Sequence, residues 1–149
     1  MNFKPFSRKQ LELLCWWTEQ SPYKDRDACI CDGAVRSGKT LCMSISFVLW
    51  AFSAFSGASF ALCGKTVTAL KRNIIVPLCE QLGELGFRCE IKASQNHMIV
   101  SKGARFNRFY FFGGRDESSA ALIQGMTLSG ALLDEVALMP RSFVEQAVA

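Results

Sequence analysis

Asp32-Gly33-Ala34-Val35-Arg36-Ser37-Gly38-Lys39-Thr40 fits, at every fixed position, the Gly-x-x-x-x-Gly-Lys-Ser/Thr loop that cradles phosphates. The chemistry explains the spelling. The two glycines let the backbone curl so that successive N–H groups along Gly33, Ala34, Val35, Arg36, Ser37 and Gly38 face one anion. Lys39 then reaches the outer phosphates, and the Thr40 hydroxyl is placed to ligate Mg²⁺. A helix opening at Gly38 adds the positive end of its dipole. The flanks agree: the short apolar run Ala28–Cys31 reads as a strand, and the uncharged run Leu41–Phe55 as a long buried helix, which is the strand–loop–helix setting that the loop requires. A glycine turn ahead of a helix is the bland reading of the same letters. In a chain of this length the full pattern arises by chance in on the order of one sequence in a few hundred, so nucleotide binding is expected.

The 149 residues suit one domain, 1–149, large enough for a single core. Half of them are hydrophobic and 20% charged, a balance that predicts a compact α/β fold rather than disorder. A net charge of +4 permits contact with nucleic acid without demanding it. The seven cysteines include no Cys-x-x-Cys pair, and with one histidine they argue against a zinc site; no secretion signal precedes them. They are expected to be reduced, buried thiols of a cytosolic protein. Leu41–Cys63 is uncharged and long enough to cross a bilayer. It is broken at Ser56-Gly57-Ala58-Ser59 and opens at the phosphate loop, so it reads as a buried helix and then a buried strand, with no membrane involved.

Along the chain, Ser7-Arg8-Lys9-Gln10 has the form of a capping box for an amphipathic helix through about Thr18. Ser59–Cys63 reads as the next strand. Apolar positions at Val67, Leu70, Ile74, Leu78 and Leu82 mark one face of a helix with a kink expected at Pro77; Lys65, Lys71 and Arg72 lie off that stripe, on a face read as solvated in preference to DNA-binding. Phe87–Ile91, His97–Val100 and Phe106–Phe112 read as strands, with a hairpin at Ser101-Lys102-Gly103-Ala104. A short helix over Asp116–Leu122, a loop at Gln124–Thr127, a buried strand Ala131–Glu135 and a helix over Pro140–Ala149 complete the chain. The alternation of strand and helix predicts a mostly parallel sheet flanked by helices.

Asp134-Glu135 closes that last strand. An acid at the carboxyl end of a parallel strand stands where such sheets present ligands. Asp134 is therefore placed to hold the Mg²⁺ shell and Glu135 to orient and deprotonate an attacking water; the alternative is a strand end meeting solvent.

Taken together, Gly33–Thr40, Gln124–Val136 and Met139–Phe143 resemble the N-terminal ATPase of tailed-phage terminase large subunits, the motors that package DNA. The resemblance runs over nearly the whole chain. It implies an additional-strand, catalytic-glutamate phosphate-loop NTPase. The cofactors would be ATP and Mg²⁺, with Lys39 and Thr40 on nucleotide and metal, Asp134 as the metal acid and Glu135 as the catalytic base. It further implies coupling of hydrolysis to movement of double-stranded DNA, bound without sequence preference, in the cytoplasm of a bacterial host. The partners would be a portal protein, a small terminase subunit and other copies in a ring. Arg36 matches an arginine that some terminases place in this loop toward the γ-phosphate; the alternative is a solvent-facing loop arginine. Gln10 resembles an upstream glutamine that contacts adenine, while the capping box needs a Gln at that same position.

The family continues into a coupling motif and a nuclease with clustered acids. This sequence stops at Ala149 and carries no such cluster, so a truncated product without nuclease activity is expected. The rival readings are a small-molecule kinase, which needs an acceptor pocket and lid arginines in place of Glu135, a helicase-like DNA translocase, and a remnant that binds nucleotide without turnover.

Overall fold

The structure, a computed structural model, describes residues 6–32, 38–115 and 117–149. Gly33, Ala34, Val35, Arg36 and Ser37 of the phosphate loop, and Asp116, lie outside the described residues. Helix α1 (Arg8–Cys15) opens on the expected capping box: the Ser7 hydroxyl accepts from the Gln10 N–H, and the Gln10 side chain accepts from the Ser7 N–H. Helix α2 (Lys39–Ala54) follows the phosphate loop directly and is buried along Cys42, Ile45, Val48, Ala51 and Phe52. It leads to β1 (Ser59–Gly64). No helix among the described residues is long and apolar enough to cross a membrane.

The helical stripe after β1 is α3 (Val67–Leu70), a π-helical segment at Lys71–Ile75 and α4 (Val76–Glu84). Pro77 sits in the first turn of α4. A proline cannot donate to the preceding turn, and a widened π segment ahead of it takes up the lost bond, so the expected kink has the form of a local change of pitch. Two hairpin strands come next, β2 (Arg88–Lys92) and β3 (His97–Lys102), then β4 (Arg105–Gly113), α5 (Glu117–Gln124), β5 (Gly130–Leu133) and α6 (Arg141–Val148).

The sheet has the order β2-β3-β4-β1-β5. Strands β4, β1 and β5 are parallel, whereas β2 and β3 are antiparallel additions on one side. The sheet is therefore mixed, and the expectation of a mostly parallel one is corrected. The reason is connection length: β2, β3 and β4 are joined by short turns, which can only reverse the chain. Along β1, Phe60 and Leu62 enter the core formed with α2, α3 and α4, while Ala61 and Cys63 enter a second cluster with Ile123, Met139 and Phe143. Burial on both faces is why that strand reads as an unbroken apolar run.

A second correction concerns Ala28–Cys31, expected as a strand beside the loop. It has no regular structure, and Ile30 is 89% exposed. An apolar run becomes a strand when another strand satisfies its N–H and C=O groups, and the edge of β5 nearest to it lies across an open cleft. The cysteines are a third correction. All seven are free, as expected, but Cys42 and Cys63 alone are buried; Cys15 and Cys29 are exposed and Cys31, Cys79 and Cys89 half-buried.

Candidate nucleotide site

Gly38 caps α2 in a left-handed conformation, φ 76°, which a residue without Cβ adopts at no steric penalty. Its carbonyl accepts from the Cys42 N–H at 3.1 Å. Lys39 and Thr40, the first two residues of the helix, are half-buried and stand at the N-terminal end, where the helix dipole favours an anion.

Across from them, β5 brings up the two acids. The Asp134 N–H donates to the Cys63 carbonyl at 2.9 Å, which carries the β1–β5 ladder one residue past the strand and fixes the direction of Asp134. The chain then turns sharply. Glu135 is left-handed, φ 54°, and its carbonyl accepts from the Leu138 N–H at 2.9 Å to open a 3-10 turn at Val136–Leu138. A non-glycine residue held there is uncommon, and such strain gathers at functional sites.

Gly38, Lys39, Thr40, Asp134 and Glu135 line one cleft of about 1830 Å³, which Cys31 and Asp32 line as well. Asp134 is half-buried, and its carboxyl is held above the usual carboxylate range, chiefly by burial and then by repulsion from Glu135; attraction from Lys39 works in the other direction. Lys39 thus lies within electrostatic reach of Asp134. The same lysine opposes the rise in the Cys31 thiol, which burial and the neighbouring Cys29 push up to about 11.

Gln10 reaches this site as well. Its side-chain amide lies against Gly38, so the residue that completes the capping box also touches the loop. Helix α1 is tied to α2 a second time where Trp17 Nε1 donates to Ser46 Oγ at 3.1 Å and Ser46 Oγ donates to the Leu13 carbonyl at 2.7 Å. Arg36 lies outside the described residues. Two cations not assigned to any site by sequence stand on the same edge of the sheet: Lys65 follows β1 and Arg115 follows β4, their backbones joined by Arg115 N–H to Lys65 O at 3.2 Å. Each comes just after a strand that ends in glycine, a signal too common to single them out.

The terminase large subunit, T4likevirus-type, N-terminal family model matches residues 30–149. The large terminase of a thermophilic bacteriophage is 50% identical, with a TM-score of 0.93 over 97% of this chain and 36% of that one. The complex of that same terminase with ADP gives 49% identity and a TM-score of 0.90, over 96% of this chain and 35% of that one. The large terminase ATPase domain of Thermus phage P74-26 shares the fold at 19% identity, with a TM-score of 0.55 over 76% of this chain and 49% of that one. No curated protein matches. The chain thus spans little more than a third of the length of the thermophilic-phage terminase. By the family match, and by an identity of one residue in two over nearly its whole length, it belongs to the terminase large subunits and corresponds to their N-terminal ATPase domain.

Proposed function

We propose that the chain binds and hydrolyses Mg·ATP and that this hydrolysis drives double-stranded DNA into a procapsid. The observation that carries the reading is the shared cleft, which Lys39, Thr40, Asp134 and Glu135 all line. The thermophilic-phage relative has been solved with ADP and with ATP-γ-S, which supports nucleotide at this position.

In this reading Gly33, Ala34, Val35, Arg36, Ser37 and Gly38 wrap the phosphates and Lys39 neutralises the outer ones. Thr40 and Asp134 would hold Mg²⁺. The donor set fits: a half-buried carboxylate raised by burial and by a second acid, with a threonine hydroxyl lining the same cleft, offers the hard oxygen ligands that a divalent cation such as Mg²⁺ takes. When bound, the ion would offset charge on the phosphate oxygens. Glu135 takes the proton of the attacking water, Arg36 faces the γ-phosphate, and Gln10 stands between base and loop.

The additional-strand class of the fold belongs to the same proposal. Among the described residues nothing pairs with the outer edge of β5, and the apolar Ala28–Cys31 run stands across the cleft from it. A further strand between the two would complete the sheet. A portal protein, a small terminase subunit, ring neighbours and a host-cytoplasmic setting belong to the same proposal, and the family resemblance is what supports them.

The test is calorimetry with Mg·ATP, followed by phosphate release, on the parent and on Lys39→Ala. The variant deletes the charge that meets the outer phosphates and leaves α2 intact, so affinity should fall steeply. Equal affinity would sink the reading. Phosphate transferred to a small acceptor, with none released to water, would favour the kinase.

A further inference from the structure

The carboxyl edge of the sheet carries a row of cations that the ATP site does not use. Lys65 and Arg115 extend β1 and β4, and are held side by side through their backbones, with Gly114 N–H to Gly64 O at 2.8 Å beside the Arg115–Lys65 bond. The next strand over, β3, begins at His97, and Asn96 just before it accepts from the Phe111 N–H at 2.7 Å. Lys71 is brought to this point from the π-helical segment: Nζ donates to Asn96 Oδ1 at 3.2 Å and lies 5.9 Å from the centre of the Phe111 ring. Arg72 follows it, exposed.

Sequence alone gives Lys65, Lys71 and Arg72 as a solvated helix face. Topology adds Arg115, from the far end of β4, and turns them into a rim beside the catalytic acids.

We infer that Lys65, Lys71, Arg72 and Arg115 form a contact surface for the phosphate backbone of duplex DNA. The inference rests on the motor reading above for its partner and adds where that partner sits. Three arguments carry it. The first is charge complementarity: four cations stand on one edge, with no base-reading element among them. The second is spacing: the row crosses β3, β4 and β1, two interstrand gaps of about 4.8 Å each, so it covers roughly three phosphates at 3.4 Å of helix rise per strand. The third is preorganisation. Lys71 is already fixed by Asn96 and Phe111, and with three donors it can meet a phosphate while losing little side-chain freedom. Lys65 lies two residues beyond Cys63, whose carbonyl holds the Asp134 N–H, so DNA on the rim bears on the strand next to the one that delivers the acids.

The experiment is fluorescence anisotropy of a labelled duplex of arbitrary sequence titrated with the full chain over a range of salt. It compares the parent with Lys65→Gln/Lys71→Gln/Arg72→Gln/Arg115→Gln and with a control that neutralises Arg8, Lys9, Lys24 and Arg141 elsewhere. The rim variant should lose on the order of tenfold or more in affinity at low salt, and its plot of log affinity against log salt should flatten by about 3 to 4. Arg72→Gln/Arg115→Gln, both at exposed positions, should flatten it by about 2 and guards against a fold defect in the larger variant. Mg·ATP binding by calorimetry should match the parent throughout. Unchanged DNA affinity in the rim variants, an equal loss in the control, or a parent chain that binds no DNA while still binding Mg·ATP would each overturn the DNA surface and leave the nucleotide reading standing. Loss of Mg·ATP binding by the parent would instead remove the reading on which it rests.

Discussion

The amide of Gln10 occupies the space that any side chain at position 38 would need: a Cβ built on Gly38 falls 2.8 Å from Gln10 Nε2. Gly38 is also left-handed, so Gly38→Ala meets two obstacles, a backbone penalty of about 1–2 kcal/mol and a clash. The clash is with the end of a side chain pinned at Oε1 by the Ser7 N–H. Gly38→Ala should therefore lower stability in denaturant unfolding and weaken nucleotide binding. Gln10→Ala should restore part of the stability lost in Gly38→Ala, because it removes the clash and leaves the φ penalty. Strictly additive losses in that double-mutant cycle would show that the two residues do not press on each other. The same variant separates two roles for Gln10: a brace affects ATP and GTP equally, whereas an adenine contact affects ATP more.

Asp134 gives a prediction about pH. Its carboxyl is raised by burial and by Glu135, so the unfolded chain releases this proton more readily than the folded one. The group therefore favours folding at pH values below the ordinary carboxylate range and opposes it once pH rises through the folded-state value. At neutral pH without nucleotide, Asp134→Asn should unfold at the same temperature as the parent or higher, and its advantage should shrink as pH falls. The same change should weaken Mg·ATP binding. A variant that is less stable at neutral pH and binds Mg·ATP normally would contradict both halves.

These residues show which parts of the molecule are legible in sequence. The acids at the end of β5 are, because three apolar residues followed by two carboxylates describe a strand reaching the edge of a sheet. So are α2, β1 and the Ser7–Gln10 box, where every signal is local. The Ala28–Cys31 run misleads because strand formation depends on a neighbour that an apolar pattern cannot supply. The direction of β2 and β3 is set by turn lengths rather than by the strands themselves, and the Asn96 turn, left-handed at φ 48°, carries only a weak signal. The contacts of Gln10 with Gly38 and of Arg115 with Lys65 join distant parts of the chain and leave no trace in either segment alone. The phosphate-cradling role of Gly33–Ser37 rests on the motif, and that of Arg36 toward the γ-phosphate on the resemblance.

Thiol chemistry offers a check on the packing. Alkylation needs the thiolate, and burial pushes Cys63 up to about 12 and raises Cys42 as well. A mass-spectrometric time course with iodoacetamide near neutral pH should modify the exposed Cys15 and Cys29 first and Cys63 last, on unfolding. Early modification of Cys63 would mean that the cluster of Ala61, Phe112, Ile123, Met139 and Phe143 opens readily.

Glu135→Gln tests the catalytic assignment. The amide keeps the size of the side chain and part of its hydrogen bonding but cannot take a proton. Glu135 is exposed and points from a left-handed residue just beyond the strand, so the change should leave the fold and the Asp134–Cys63 bond undisturbed. ATP should bind as in the parent, while hydrolysis falls by about a hundred- to ten-thousandfold, the range general-base loss brings. Asp134→Asn should differ by losing Mg·ATP affinity along with rate, and that contrast assigns one acid to the metal and the other to water. Binding and hydrolysis have to be scored separately, by calorimetry and by phosphate release, because a low parent rate would compress the second measurement and leave the first untouched. Both should also be run on a chain extended by the segment that follows in longer relatives. Should Glu135→Gln turn over ATP as fast as the parent there, Glu135 is not the base, and the left-handed turn that presents it needs another explanation.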